Sequence, residues 1–222
     1  MNTDETHAPD AVLAAALRAA AAQGWTRASL AGVAEDAGVP LAEVLSRFPT
    51  RGHMLRAWGK AIDRAMLEGG VTQDARDGVR DRLFDLLMRR FDALAPDREA
   101  LRALLPTFGG DPLLAAVVAM GLSRSMSLTL EAAGVGSSGP AGLLRVKGLG
   151  LVYAYATRVF LNDDTPDLAR TMAALDKALD KADRVAGTVF SGRCGRFRRK
   201  EEDTIRPPVM PVDPGPAPEP VL

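Results

Sequence analysis

The chain has 222 residues, 47% of them apolar, and its 28 basic side chains balance 28 acidic ones at a pI of about 6.8. That length can bury a sizeable core, while zero net charge excludes the global footprint of a non-specific nucleic-acid binder, so any basic surface must be local. One cysteine, Cys194, excludes a disulfide framework and a thiolate metal cluster and fits a reducing, cytoplasmic setting; the acidic start MNTDETHAPD is no signal peptide, and apolar runs such as Pro112–Leu122 are too short to span a bilayer.

Helical spacing runs through the chain and predicts an all-α fold. Pro9 and Asp10 suit a first turn, Val12, Leu13, Leu17 and Ala20 share a face, and Gln23-Gly24 closes the first helix. Trp25 comes directly after it and reads as a core anchor beneath the N-terminal helices. Ser29 is a good N-cap, Leu30, Val33 and Ala37 line one face, and Gly38 offers the left-handed residue that ends a helix. Pro40 can start the next, in which Leu41, Val44, Leu45 and Phe48 recur at helical spacing until Pro49. Two short helices across so tight a turn make a helix-turn-helix unit. Thr50 is then placed to cap a fourth helix from Arg51 toward Glu68, with Met54, Leu55, Trp58, Ile62 and Met66 inward and Gly69-Gly70 at its end.

The residues Gly24-Trp25, Val33-Ala34-Glu35, Ala37-Gly38-Val39 and Phe48-Pro49-Thr50-Arg51 resemble the N-terminal module of TetR-type regulators. The resemblance implies an all-α, TetR-like fold: a three-helix DNA-binding module at 1–52, a larger helical ligand-binding and dimerisation domain at 53–190, and a basic, then Pro-rich tail at 191–222. It also implies a one-component regulator, a repressor, that binds a double-stranded operator as a homodimer and responds to a small apolar ligand. The implied DNA-contacting residues are Arg27, Ser29, Pro40, Leu41, Ala42, Leu45, Ser46, Arg47, Arg51 and His53. Leu45 stands where the family carries a phosphate-holding tyrosine and Arg51 where it carries a lysine, while Glu43 presents phosphates with the wrong sign.

From Asp74, Val79, Leu83, Leu87, Phe91 and Leu94 predict a long amphipathic helix with Arg76, Arg80, Asp81, Asp85, Arg89 and Asp92 on its polar face. Asp97 begins a shorter helix that ends near Pro106 and Gly109-Gly110. Between Pro112 and Ala133 apolar residues point in every direction, which predicts a helix buried on all sides. A Met- and Leu-rich helix of this kind can line an apolar cavity, and the candidate pocket residues are Phe84, Met88, Phe91, Leu114, Val118, Met126 and Tyr153. The loop Gly134-Val135-Gly136-Ser137-Ser138-Gly139 matches GxGxxG letter by letter, but the motif needs a preceding strand; Gly134 reads as a helix end and no cofactor is expected. His7 and His53 are the only histidines, and no nucleophile or metal-ligand spacing accompanies them, so an enzyme is not expected.

Leu143 to Leu161 is largely apolar, and Thr165-Pro166-Asp167 combines an N-cap, a first-position proline and an early acid as a start for the last helix. There Leu168, Met172, Leu175, Leu179, Ala182 and Ala186 alternate steps of four and three, a seam that predicts a two-fold bundle between chains, with Asp180 and Arg184 one turn apart off the seam. TetR-like regulators pair through their last two long helices, so the resemblance implies the same interface. Beyond Phe190 order is expected to fail, since Pro207 onward holds seven of the chain's fifteen prolines, behind a cluster of Arg193, Arg196, Arg198, Arg199 and Lys200. The segment Leu151–Leu179 also resembles the TetR-fold lipid-binding accessory proteins of ubiquinone biosynthesis. That resemblance implies the alternative: an isoprenoid or lipid carrier that does not read DNA and touches the membrane peripherally.

Overall fold

The computed structural model describes residues 11–68, 70 and 78–194, with side chains placed up to Val185. Its helices are α1 (Ala11–Gln23), α2 (Leu30–Ala37), α3 (Leu41–Arg47), α4 (Arg51–Glu68), α5 (Val79–Leu94), α6 (Arg98–Leu104), α7 (Pro112–Ala132), α8 (Gly139–Phe160) and α9 (Ala169–Cys194), with 3-10 turns at Ala95–Asp97 and Leu105–Gly109. No strand occurs among the described residues. Residues through Asp183 form one unit; the second begins at Arg184, and of it only the end of α9 is described. The N-terminal signals act as their chemistry demands. The Ser29 hydroxyl accepts the Gly32 N–H at 3.0 Å, and Gly38 sits at φ 68° with its own N–H turned back onto α2. Thr50 departs from the expected cap, because its hydroxyl meets Nδ1 of His53 at 2.9 Å.

One continuous apolar cluster runs from Val12 in α1 to Leu179 in α9. Trp25 is buried in it, and its indole N–H donates to the Ala100 carbonyl of α6 at 3.1 Å, so the anchor beneath the first helices also fastens them to α6. On α4, Met54, Leu55, Trp58, Ile62 and Met66 are all buried, as their spacing predicts. Phe91 stacks on Tyr153 with ring centroids 5.1 Å apart and lies 5.2 Å from Phe160, joining α5 to α8. Arginines close helix ends: Arg82 donates to the Ala133 carbonyl after α7, while Arg98 and Arg102 on α6 donate to the carbonyls of Asp163 and Leu161 after α8.

Three expectations change. α7 is not buried on all sides: Ser125, Met126, Thr129 and Leu130 are buried, while Leu113 is 76% and Met120 62% exposed, because α4, α5 and α8 cover only one side of it. At 21 residues with mean hydropathy 1.6 it is also long and apolar enough to cross a bilayer, since the helix continues ten residues past Leu122. The α9 stripe packs within its own chain, where Leu168, Leu175 and Leu179 are buried and Met172 is turned out at 41% exposure. Three and four steps alone do not say whose helix the stripe meets. The expected order failure beyond Phe190 meets a helix described to Cys194; the basic and Pro-rich stretches after that residue lie outside the described residues, as do Pro9 and Asp10.

The start of α9 differs as well. Pro166 and Asp167 form a turn, and Leu168 takes the left-handed conformation at φ 53°, which costs about 1–2 kcal/mol and is offset by burial of its side chain. Thr165 still caps the helix, its hydroxyl accepting the Ala169 N–H at 3.0 Å, and Asp163, fully buried, shares the capping. Its carboxylate accepts the N–H and hydroxyl of Thr165 and, at 2.7 Å each, the N–H and hydroxyl of Thr171. Burial pushes this carboxyl upward, but those four donors outweigh it and hold the pKa down from 3.8 to about 2. A folded value below the unfolded one means that ionised Asp163 stabilises the fold above the ordinary carboxylate range, and that this contribution is lost as the pH falls toward about 2. Asp163→Asn should therefore cost about 1–3 kcal/mol at neutral pH. Thermal melts across the acid range should show the gap between the two proteins closing as the pH approaches 2.

Candidate nucleic-acid interface and ligand cavity

The turn Gly38-Val39-Pro40 joins α2 to α3 and leaves one side of α3 open. Val44 is fully buried against the module, and Phe48 closes the helix with its ring buried under the Arg47 guanidinium, 5.4 Å from the centroid. Pro40, Leu41, Ala42, Glu43, Leu45, Ser46 and Arg47 are exposed. Leu41 and Leu45, at 41% and 42%, put apolar surface where a base-reading helix meets thymine methyl groups. Glu43 sits in the first turn of α3, where the helix dipole favours an acid. Ser46 donates its hydroxyl to the Glu43 carbonyl at 2.8 Å, and Ser29 is engaged as a cap, so neither hydroxyl is idle. Arg27 and His53 are exposed and Arg51 is half-buried at the start of α4. Arg18 is paired with Asp36 at 2.8 Å. The candidate contact residues thus occupy α3 and the chain just before and after the helix-turn-helix, with Arg27, Arg47 and Arg51 as its cations.

A second feature lies deeper. A cavity of about 700 Å³, within the range of ligand pockets, is walled by α4, α5, α6, α7 and α8. Leu55, Trp58 and Ile62 of α4, Leu94 of α5, and Leu101, Leu104 and Phe108 give it an apolar body. In that wall sits Arg90, 5% exposed, donating to Asp63 of α4 and to the Ser125 hydroxyl of α7 at 3.3 Å, with its guanidinium 5.3 Å from the Tyr153 ring centroid. Ser125 in turn donates to Asp63 at 2.7 Å. Burial works against the Arg90 charge, yet Tyr153 and Asp63 outweigh it and raise its pKa above the usual guanidinium value. Its Nε–H has no acceptor. Trp58, which lines the cavity, donates its indole N–H to Asp97 at 2.8 Å; burial raises the Asp97 carboxyl and that hydrogen bond opposes the rise.

Of the pocket residues expected from sequence, Val118 and Tyr153 line this cavity. Phe91 and Met126 are instead fully buried in the core, and Phe84, Met88 and Leu114 pack against that core. Sequence reading missed Arg90 and Asp63. The signal was present, because Arg90 interrupts the apolar stripe of α5 between Leu87 and Phe91, and Asp63 borders Ile62 on the inward side of α4. The expected pairing residues Leu168, Leu175 and Leu179 are used by the chain's own core, Ala182 is half-buried, and Met172 faces outward. Large exposed apolar side chains instead recur on α8, where Leu144, Leu151 and Tyr155 succeed one another at helical spacing with exposures of 53%, 74% and 51%.

The sequence matches no family model and no curated protein. By structure the chain is similar to a TetR transcriptional regulator from Nitrosomonas europaea ATCC 19718, at 23% identity over 78% of this chain and 97% of that one, with a TM-score of 0.65. It is also similar to a TetR transcriptional regulator from Rhodococcus sp. RHA1, at 22% identity over 78% and 93% and a TM-score of 0.56. A transcriptional regulator from Rhodococcus sp. Rha1 is similar at 20% identity over 84% and 97%, with a TM-score of 0.51. At these identities the likeness is one of architecture, and it shows that the chain has the all-α TetR fold.

Removing one member of the buried pair should expose its energetics. Arg90→Met leaves the partly buried Asp63 without its cation and should cost about 3 kcal/mol, the lower end for such pairs, whereas adding Asp63→Asn should recover most of that loss. Urea unfolding of the two single variants and the double variant checks this, and a simple sum of the single effects would contradict it.

Proposed function

We propose that this protein is a TetR-type one-component transcriptional regulator, a homodimeric repressor of the cytoplasm that reads double-stranded DNA through residues 1–52 and takes a small, largely apolar ligand within residues 53–190. The observation that carries this reading is the position of α4. It leaves the helix-turn-helix at Arg51 and, within three turns, presents Leu55, Trp58 and Ile62 to the cavity, so a ligand there bears directly on the helix that continues from the DNA-reading module. In this reading α3 enters the major groove, with Leu41, Ala42 and Leu45 toward base edges and Arg47 and Arg51 on phosphates; Arg27 and His53 flank the groove. Two modules must then lie one helical turn apart on DNA, which calls for a pair of chains. In this reading the pairing surface is the outer face of α8, with Leu144, Leu151 and Tyr155 at its centre. No observation favours the lipid-carrier alternative, and its membrane-engaging segment would fall beyond Cys194, outside the described residues.

Replacing Arg47 and Arg51 together with Ala should weaken binding to every DNA sequence and flatten the dependence on log salt by up to about two units per protomer. Fluorescence anisotropy titrations over a range of salt concentrations read both effects, and an unchanged slope would remove α3 from the phosphate backbone. Glu43→Lys should strengthen non-specific binding by relieving repulsion at the same surface.

The pairing surface has its own test. Each leucine buried at such an interface contributes about 1.5–3 kcal/mol, and Leu144→Glu with Leu151→Glu changes two on each chain, so the dimer constant should weaken by well over a hundredfold. Sedimentation should then show a species of 23.5 kDa with unchanged helical content. A wild type that is already monomeric would sink the paired-module mechanism.

A further inference from the structure

The charge around the cavity is out of proportion to that of the chain. Arg56, Lys60, Arg90, Arg124 and Arg158 line it against one carboxylate, Asp63, in a protein of zero formal charge. Asp63 is already engaged by Arg90. The other four cations are exposed, and among the described residues none of them has an ion pair. Their arrangement is concentrated. Arg56, Lys60 and Asp63 stand at successive turns along one side of α4, and Arg124 adjoins Ser125, which holds both Arg90 and Asp63. Gathering four cations without counter-charge at one mouth costs mutual repulsion, and an anion arriving there relieves it. The interior behind the mouth is of opposite character, with Leu94, Leu101, Leu104 and Phe108 offering no polar side-chain group.

We propose that the ligand of this cavity is an amphipathic carboxylate, with an aliphatic or aromatic body against α5 and α6 and its anionic head among Arg56, Lys60, Arg124 and Arg158, within reach of Arg90. This deepens, and rests on, the reading of the cavity as the regulator's ligand site. A carboxylate fits because the planar guanidinium fork of an exposed arginine such as Arg124 or Arg158 pairs with it through two parallel hydrogen bonds. A cationic head would meet five like charges, and a neutral one would leave the mouth unanswered.

Laurate, dodecanol and dodecyltrimethylammonium share one tail and differ in head charge, so calorimetric titration of the full-length protein with each separates charge from apolar fit. Laurate should bind at one per protomer, at least about tenfold tighter than dodecanol, with the trimethylammonium compound weakest. The laurate advantage should shrink as salt rises and the Debye length falls from about 10 Å at 0.1 M to about 3 Å at 1 M. Arg124→Ala with Arg158→Ala, both at exposed positions, should weaken laurate about tenfold and leave dodecanol within about twofold. Nothing lies within 4 Å of where a Gly59 side chain would begin, so Gly59→Leu intrudes on the cavity from α4 without a backbone clash and should weaken binding of both. Equal affinity for laurate and dodecanol, laurate binding indifferent to the arginine changes, or laurate binding indifferent to Gly59→Leu would each overturn the proposal. These titrations contain no DNA, so their failure discards the anion alone, whereas the regulator reading fails on the DNA titrations of the Arg47 and Arg51 variant.

Discussion

A guanidinium that is almost fully out of water needs partners for its charge, and Arg90 sets the terms on which α4, α5, α7 and α8 meet. It draws Asp63 from α4 and Ser125 from α7 toward α5, and the Tyr153 ring from α8 lies against it. Arginine cannot shed its charge at any ordinary pH, so burial does not end in neutralisation as it would for a lysine. Such a pair adds little to stability compared with well-packed apolar residues of the same volume, but it tolerates few arrangements. An all-leucine junction of α4, α5 and α7 would slide by small steps; one built on directional hydrogen bonds has a register. The cavity exists beside this junction because the polar cluster holds the helices where apolar side chains do not fill the space between them.

The same economy of means recurs at helix ends. Arg82, Arg98 and Arg102 each reach from one helix to the terminal carbonyls of another, groups that would otherwise lack an intrahelical partner. Asp163 answers the opposite problem at the start of α9, where amide hydrogens need acceptors. Polar side chains thus fix how helices abut, while the apolar cluster from Val12 to Leu179 supplies the driving force for bringing them together.

Helix positions were legible because they depend on local chemistry. Ser29, Gly38, Phe48 and the inward residues of α4 act within a turn or two of themselves, and their spacing says so. What a stripe packs against is not local. Leu175 and Leu179 carry the same pattern whether they meet another chain or the apolar cluster of their own, and only the tertiary packing decides. The apolar girth of α7 misled for a related reason: hydrophobicity on every side predicts burial in one chain but is equally compatible with a face left open, as at Leu113 and Met120. The cavity was hardest to foresee. Its lining comes from five helices, and its informative residues, Arg90 and Asp63, register in sequence as blemishes in apolar stripes. A charge within such a stripe is the one signal that points to a site, because it is costly unless something answers it.

Two physical links join the cavity walls to the N-terminal helices, and they differ in what they can transmit. Through α6, the Ala100 carbonyl receives the Trp25 indole while Leu101 and Leu104 line the cavity, so this short helix has one side on α1 and the other on the cavity. Through α4 the connection is covalent, and its cavity-facing residues lie only one to three turns beyond Arg51. A single hydrogen bond from a buried tryptophan fixes position without specifying direction. A continuous helix carries rotation and translation along its length, provided that something at its far end has two arrangements to choose between. Asp63 supplies that choice in the proposed regulator: held by Arg90 and Ser125 when the cavity lacks an anion, it must share Arg90 once a carboxylate arrives. In that proposal the helix that bears Asp63 is the element both sites bias.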